Sequence, residues 1–333
     1  MNMSHIISVI DTHAAGEPIR ILHSGLPMLR GNNISEKMEN MRNQFDWIRT
    51  STICEPRGHR GMVGAVLVEP AVTEADIGVF YFDLLNYAPM CGAGALAVAK
   101  TLVEIGRVNV TEPVTKVIMD TPSGLVNAFV VVENNKVGEV TLENVPSFIS
   151  DSGIALTVPG IGQVTVDVAY GGNFFVFVDV EPLALSIESN KINFLVDAGM
   201  KILKTAREII TVNHPLYLDV NLLNDMMFCQ KPDSNNVYKG MVVFGDSQFD
   251  RSPCGTGTCA RMARLYTKGE LQIGQQFIHK SVFGTTFTGV LQREEMVGPI
   301  QGVVPRITGN AYITGFNSLV IDPDDSLKNG FWI

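Results

Sequence analysis

The chain has 333 residues, 46% of them hydrophobic and 18% charged, with a formal net charge of −9. That composition describes a globular, core-rich protein of two ordinary-sized domains rather than a disordered chain. The acidic balance, with no basic run anywhere, argues against a nucleic-acid partner, and no apolar run is long enough for a membrane helix.

The opening "MNMSHIISVIDTH" has no basic segment followed by a long apolar stretch, so no signal peptide is expected. Five cysteines, an odd number without framework spacing, are expected to stay reduced in a cytoplasmic protein. "IISVID", "MVGAVLVEP" and "IGVFYFD" predict strands. Between the first two, Ile34, Met38, Met41, Phe45 and Ile48 recur at three- and four-residue steps and predict an amphipathic helix. "APMCGAGALAVA", Ala88 to Ala99, then places a cysteine before two alternating glycines and a buried helix that Gly106 can terminate. "KVIMD", "NAFVVVE" and "VGEVTLENV" predict further strands, with "ENNKVG" as a hairpin tip.

A second half begins near Pro146 with the strands of "QVTVDVAYGGNFFVFVDV". Its helix "NKINFLVDAGMKILKTAREII" gathers Ile192, Leu195, Val196, Gly199, Ile202, Leu203 and Ala206 on one face. "SPCGTGTCARMA", Ser252 to Ala263, then repeats the Cys-Gly-x-Gly opening of a helix. "FTGVL", "ITGNAYITGF" and "SLVID" are expected to close the chain as strands. The two units share more than the glycines: Ala97 and Ala260 follow their cysteines at one spacing, Gly106 and Gly269 at another, and Pro89 and Pro253 precede them. The repeat predicts two similar α/β halves, related by a pseudo-twofold, with the active site in the cleft between them. Residues 1–145 with about 310–333 form the half carrying Cys91, and 146–309 the half carrying Cys254.

The first N–H groups of a helix have no internal acceptor, and the helix dipole adds positive charge there. Each Cys-Gly-x-Gly unit can therefore hold a carboxylate or phosphate, and the same field stabilises a thiolate. A carboxylate gripped by both helix starts would sit between two sulfurs, one removing an α-proton and the other delivering one to the opposite face. Two other readings stay open. "GAGALA" and "GTGTCA" both satisfy Gly-x-Gly-x-x-Ala, a weak dinucleotide fingerprint, but proline and cysteine interrupt it and Glu112 is a poor ribose partner. Alternatively, both cysteines are small buried hydrophobes. Cys54, Cys229 and Cys259 take that structural reading, and a metal pair of Cys254 and Cys259 lacks further ligands before His279. His13 and His59 lie in glycine-containing loops, where turn hydrogen bonding is expected. Asp250 can face a substrate ammonium or cap the following turn.

With those residues in place, the sequence resembles the proline racemase family, through "MCGxG" at Met90 and "DRSPCGTGT" at Asp250. "DTHAAGEP", "EPRGH", "YGGNFFV", "VVFG", "ITGNAYITGFNSLVIDPDD" and "KNGF" extend the likeness over almost the whole chain. The resemblance implies a two-domain diaminopimelate-epimerase-like fold, each domain wrapping strands around a central helix. It also implies a homodimer that inverts the α-carbon of proline or 4-hydroxyproline without cofactor or metal. Carried over, Cys91 and Cys254 are the acid/base thiols. Gly92, Ala93, Gly255 and Thr256 offer backbone donors, Asp250 approaches the ring nitrogen, and Phe244 lines the pocket. Two positions depart from the family: Ala93 stands where histidine is usual, and Val63 where proline-specific members carry an aromatic. Both enlarge the pocket, toward hydroxyproline, although the tail looks more like the proline racemases. A branch that dehydrates trans-3-hydroxy-L-proline has threonine at the position of Cys254; a non-catalytic amino-acid-binding protein is the alternative from another class.

Overall fold

A computed structural model describes residues 4–218 and 220–332. The chain divides into two compact units, one running up to Thr141 and resuming at Asn310, the other comprising Leu142–Gly309.

In the first unit the order is β1 (His5–Ala14), β2 (Glu17–Ser24), α1 (Ile34–Ile53), β3 (Val63–Val68), β4 (Ile77–Phe82), β5 (Tyr87–Ala88), α2 (Gly92–Glu104), β6 (Val114–Thr121) and β7 (Gly124–Glu133). β8 (Lys136–Glu143) carries the chain into the second unit. There follow β9 (Phe148–Val158), β10 (Gly162–Tyr170), β11 (Phe174–Asp179), α3 (Ile192–Ile209), β12 (Leu223–Gln230), β13 (Val237–Phe244), β14 (Gln248–Phe249), α4 (Gly255–Thr267), β15 (Gln276–Lys280), β16 (Thr286–Val297) and β17 (Ile300–Gly309). β18 (Ala311–Ile321) returns to the first unit.

The two units are wired alike. In the first, β1 lies antiparallel to β18 and β2, β2 runs parallel to β3, β3 antiparallel to β4, β4 parallel to β6, and β6 antiparallel to β7. In the second, β10 lies antiparallel to β9 and β11, β11 parallel to β12, β12 antiparallel to β13, β13 parallel to β15, and β15 antiparallel to β16. Parallel neighbours need a crossover, and a helix supplies it each time: α1 and α2 in one unit, α3 and α4 in the other. The fold is therefore mixed α/β and strand-rich, as the sequence predicts.

The two crossover helices of each unit differ in kind. α1 and α3 are amphipathic and expose a polar face, whereas α2 is buried from Gly92 to Val103 and α4 from Gly255 to Leu265. Apolar residues all round make α2 a core helix, packed against β1, β2, β3, β7 and β18. α4 packs against β9, β10, β11, β16 and β17 and yet buries two arginines. Arg264 is matched by Asp167 at 2.6 Å and Asp179 at 2.7 Å, because an unpaired charge could not stay there. Both core helices end as the glycine spacing predicts. Gly106 and Gly269 adopt φ +66 and +75, and the next N–H reaches back to Leu102 and Leu265.

Several local expectations are corrected. α1 runs past Ile48 to Ile53, with non-helical backbone at Phe45. "ITGNAYITGF" is two strands, broken at Asn310 where the chain passes from one unit to the other. β2, β9, β12 and β15 escaped the sequence pattern. His13 lies within β1, not in a loop, with its ring against Tyr312 and its Nδ1 accepting the Gly16 N–H.

Candidate active site

The repeated motif becomes a repeated helix start. Cys91 is the N-cap of α2, and its Sγ accepts the Gly94 N–H at 3.3 Å. Cys254 is the N-cap of α4, and its Sγ accepts the Gly257 N–H at 3.4 Å. Each cysteine carbonyl takes the first intrahelical bond, from Ala95 at 2.8 Å and from Thr258 at 2.9 Å. The N–H groups of Gly92 and Ala93 in α2, and of Gly255 and Thr256 in α4, therefore precede the first carbonyl that helical geometry could offer them. Sulfur beside such donors is favoured as thiolate, and a carboxylate can be held by the rest. The Gly-x-Gly-x-x-Ala residues lie inside the helices rather than in a strand-to-helix loop, which removes the support for a dinucleotide site.

The two cysteines differ in setting. Cys91 has ordinary extended backbone (φ −139, ψ 112) and is partly accessible. Cys254 is 8% exposed and holds φ +65, a conformation that a side chain makes strained. A ring of hydrogen bonds over-determines it. Ser252 Oγ accepts the Cys254 N–H at 3.0 Å, and Asp250 Oδ1 accepts the Ser252 N–H at 2.7 Å. Thr258 Oγ1 lies 2.6 Å from the Cys254 carbonyl and 2.7 Å from His279 Nδ1. His279 Nε2 in turn lies 3.0 Å from Arg261 Nη1, which also donates to the Lys239 carbonyl. Because arginine only donates, Nε2 must accept, Nδ1–H donates to Thr258 Oγ1, and the Thr258 hydroxyl donates a hydrogen bond to the Cys254 carbonyl. Burial and the neighbouring guanidinium hold His279 neutral, well below the usual imidazole value.

The remaining expected residues fall as follows. Asp250 caps the turn before Cys254 through Ser252. Phe244 ends β13 in one apolar cluster with Phe175, Met227, Val242 and Cys254. Val63 opens β3, buried, beside Ile19 of β2. Ala93 lies buried in the first turn of α2. Cys54, Cys229 and Cys259 are buried, and burial pushes the thiols up, Cys54 to about 11 and Cys259 to about 12. No cluster of three or more His, Cys, Asp or Glu side chains able to hold a metal occurs among the described residues.

Sequence pattern missed the placement of His279, Gln248 and Tyr81. The Thr258–His279 contact joins α4 to a strand 21 residues away, and only pairing of β13 with β15 brings it about. Gln248, opposite Phe244 in the β13–β14 pair, is 2% exposed, and neither amide atom has a hydrogen-bond partner among the described residues. Tyr81, in β4, is fully buried against Gly94 of α2.

The chain matches the family model described as proline racemase over residues 9–332. Proline racemase from Clostridioides difficile is 40% identical over 332 residues, which cover 99% of this chain and 99% of that protein. A 4-hydroxyproline 2-epimerase from Streptosporangium roseum is 39% identical over 331 residues, again 99% of each. Among solved structures, a hydroxyproline epimerase from Agrobacterium vitis with bound trans-4-OH-L-proline gives a TM-score of 0.96 at 28% identity, covering 100% of this chain and 96% of that one.

Proposed function

The chain belongs to the proline racemase family, and from that premise we propose that it inverts the α-carbon of proline or 4-hydroxyproline with Cys91 and Cys254 as paired acid and base. The protein is an isomerase of the racemase and epimerase class, with the two-domain diaminopimelate-epimerase-like fold. The observation that carries the mechanism is the duplicated helix start, in which each cysteine caps a core helix and takes the N–H three residues on.

One cysteine is a thiolate and its partner a thiol when substrate binds. The thiolate takes the α-proton and becomes a thiol, while the C–H electron pair moves into the carboxylate as an enediolate. N–H groups at Gly92, Ala93, Gly255 and Thr256 stabilise that added charge. The other thiol then gives its proton to the opposite face and is left as thiolate, so the two sulfurs exchange states at each turnover. Asp250 accepts a hydrogen bond from the ring nitrogen, and Phe244 packs on the ring. Val63 and Ala93, both small, leave room for a ring hydroxyl. A cytoplasmic homodimer accompanies this reading; no helix among the described residues is long and apolar enough to cross a membrane, and sedimentation tests the dimer.

The deciding experiment is substrate deuteration in heavy water with L-proline, trans-4-hydroxy-L-proline and trans-3-hydroxy-L-proline. Label should enter the α-position of inverted product from one of the first two. Cys91→Ala and Cys254→Ala should each lower inversion by at least about a thousandfold, since neither face can be served from the other side. Near-normal turnover in either variant refutes the paired thiols, and loss of water from the third substrate without inversion makes the enzyme a dehydratase. No label above background with any of the three would leave a binding protein.

A further inference from the structure

Tyr81 is 0% exposed, and its phenolic oxygen has no hydrogen-bond partner among the described residues. A buried hydroxyl without a partner is disfavoured, so such a group calls for an explanation. Its place supplies one. A Cβ built on Gly94 would meet Tyr81 Cε1 at 2.6 Å and Cys91 Cβ at 3.3 Å. The ring and the cysteine therefore crowd the same glycine, the one whose N–H already points at the Cys91 sulfur. Burial pushes the phenol well above its usual range, and negative charge on Cys91 pushes it further the same way. Tyr81 thus keeps its proton whenever Cys91 loses one, and remains a donor.

The second unit offers a comparison at the equivalent helix start. Cys254 has a hydroxyl neighbour on its own helix, Thr256 Oγ1, 3.8 Å from its sulfur. At the matching position α2 carries Ala93, which has none.

We propose that Tyr81 is a positioning residue for Cys91, donating a phenolic hydrogen bond to its sulfur in the thiolate state and replacing from the sheet the hydroxyl that Ala93 lacks. The proposal rests on Cys91 being one of the two acid/base thiols, but its test needs no turnover. Alkylation by iodoacetamide at neutral pH, without substrate and resolved by peptide mass spectrometry, reads Cys91 and Cys254 separately. In Tyr81→Phe, Cys91 should react about tenfold more slowly, the loss expected for one hydrogen bond to a charged acceptor, with Cys254 unchanged. Removing a buried unpartnered hydroxyl should also leave the thermal midpoint equal or higher. A Cys91 rate within twofold of the parent, or parallel slowing of both cysteines, overturns the proposal. The expected slowing of Cys91 together with an active Cys91→Ala enzyme would instead refute the two-thiol reading and leave the Tyr81 proposal standing.

Discussion

On the proposed reading, one pair of small residues sets what the pocket accepts. Val63 is 8% exposed at the start of β3, and Ala93 lies in the first turn of α2. Val63 lacks the bulk of the aromatic in the proline-specific pattern and Ala93 that of the histidine usual in the family, and on this reading a substituted ring uses that space. Val63→Phe should therefore lower kcat/KM for trans-4-hydroxy-L-proline at least about tenfold more than for L-proline, the usual scale for steric exclusion in a pocket. Steady-state kinetics on both substrates checks this, and equal losses would remove Val63 from specificity. The same scale explains why Cys254, though strained, can stay where it is. Its N–H and carbonyl are each held by a side chain, from Ser252 and Thr258.

At the scale of elements, the question is how tightly a core helix may approach its sheet. Gly94 and Gly257 occupy equivalent turns of α2 and α4, yet they meet different neighbours. A Cβ at Gly94 would press on the Tyr81 ring at 2.6 Å, and that ring is rigid and buried. A Cβ at Gly257 would press on Met227 Cε at 2.6 Å, the free end of a flexible side chain. Gly→Ala inside a helix ordinarily gains about 0.5–1 kcal/mol. Gly94→Ala should reverse that sign and destabilise by about 1–3 kcal/mol through overpacking. Gly257→Ala should lose less, although its Cβ would also sit 3.0 Å from the Cys254 sulfur. Urea denaturation of the two variants side by side measures the difference. Equal stability would mean that the β4 ring yields as readily as a methionine.

For the molecule as a whole, two buried histidines govern the response to acid. His214, among Phe148, Tyr170 and Tyr217, is lowered to about 4 by burial. His279 is held well below its usual value by burial and by Arg261. Both bind a proton more weakly folded than unfolded, where the ordinary value is about 6.5. Their neutral forms therefore stabilise the fold fully above that value, and the stability drains away as pH falls below it. The unfolding free energy from urea denaturation should decline from pH 6.5 to 5, by up to about 1.4 kcal/mol per pH unit for each histidine in the steep range. His214→Phe should remove one share of that slope; an unchanged slope would show that His214 titrates normally. Asp167 and Asp179, held below the carboxylate range chiefly by Arg264 and Lys268 against the opposing effect of burial, add a second loss only below about pH 4.

By itself the sequence determined the class of fold, the two buried helices and the thiols at their mouths. Those features are local: an apolar run, a 3.6-residue period, a cysteine before two glycines and a glycine after the last turn can be seen within about fifteen residues. Tertiary structure alone decided the rest. It split "ITGNAYITGF" at Asn310 and moved His13 from a loop into a strand. It also set Tyr81 against Gly94 and His279 against Thr258, contacts no local pattern encodes. The reason is that a side chain's partner across a sheet depends on which distant strands pair and in what register, and a shift of one residue turns every side chain to the opposite face.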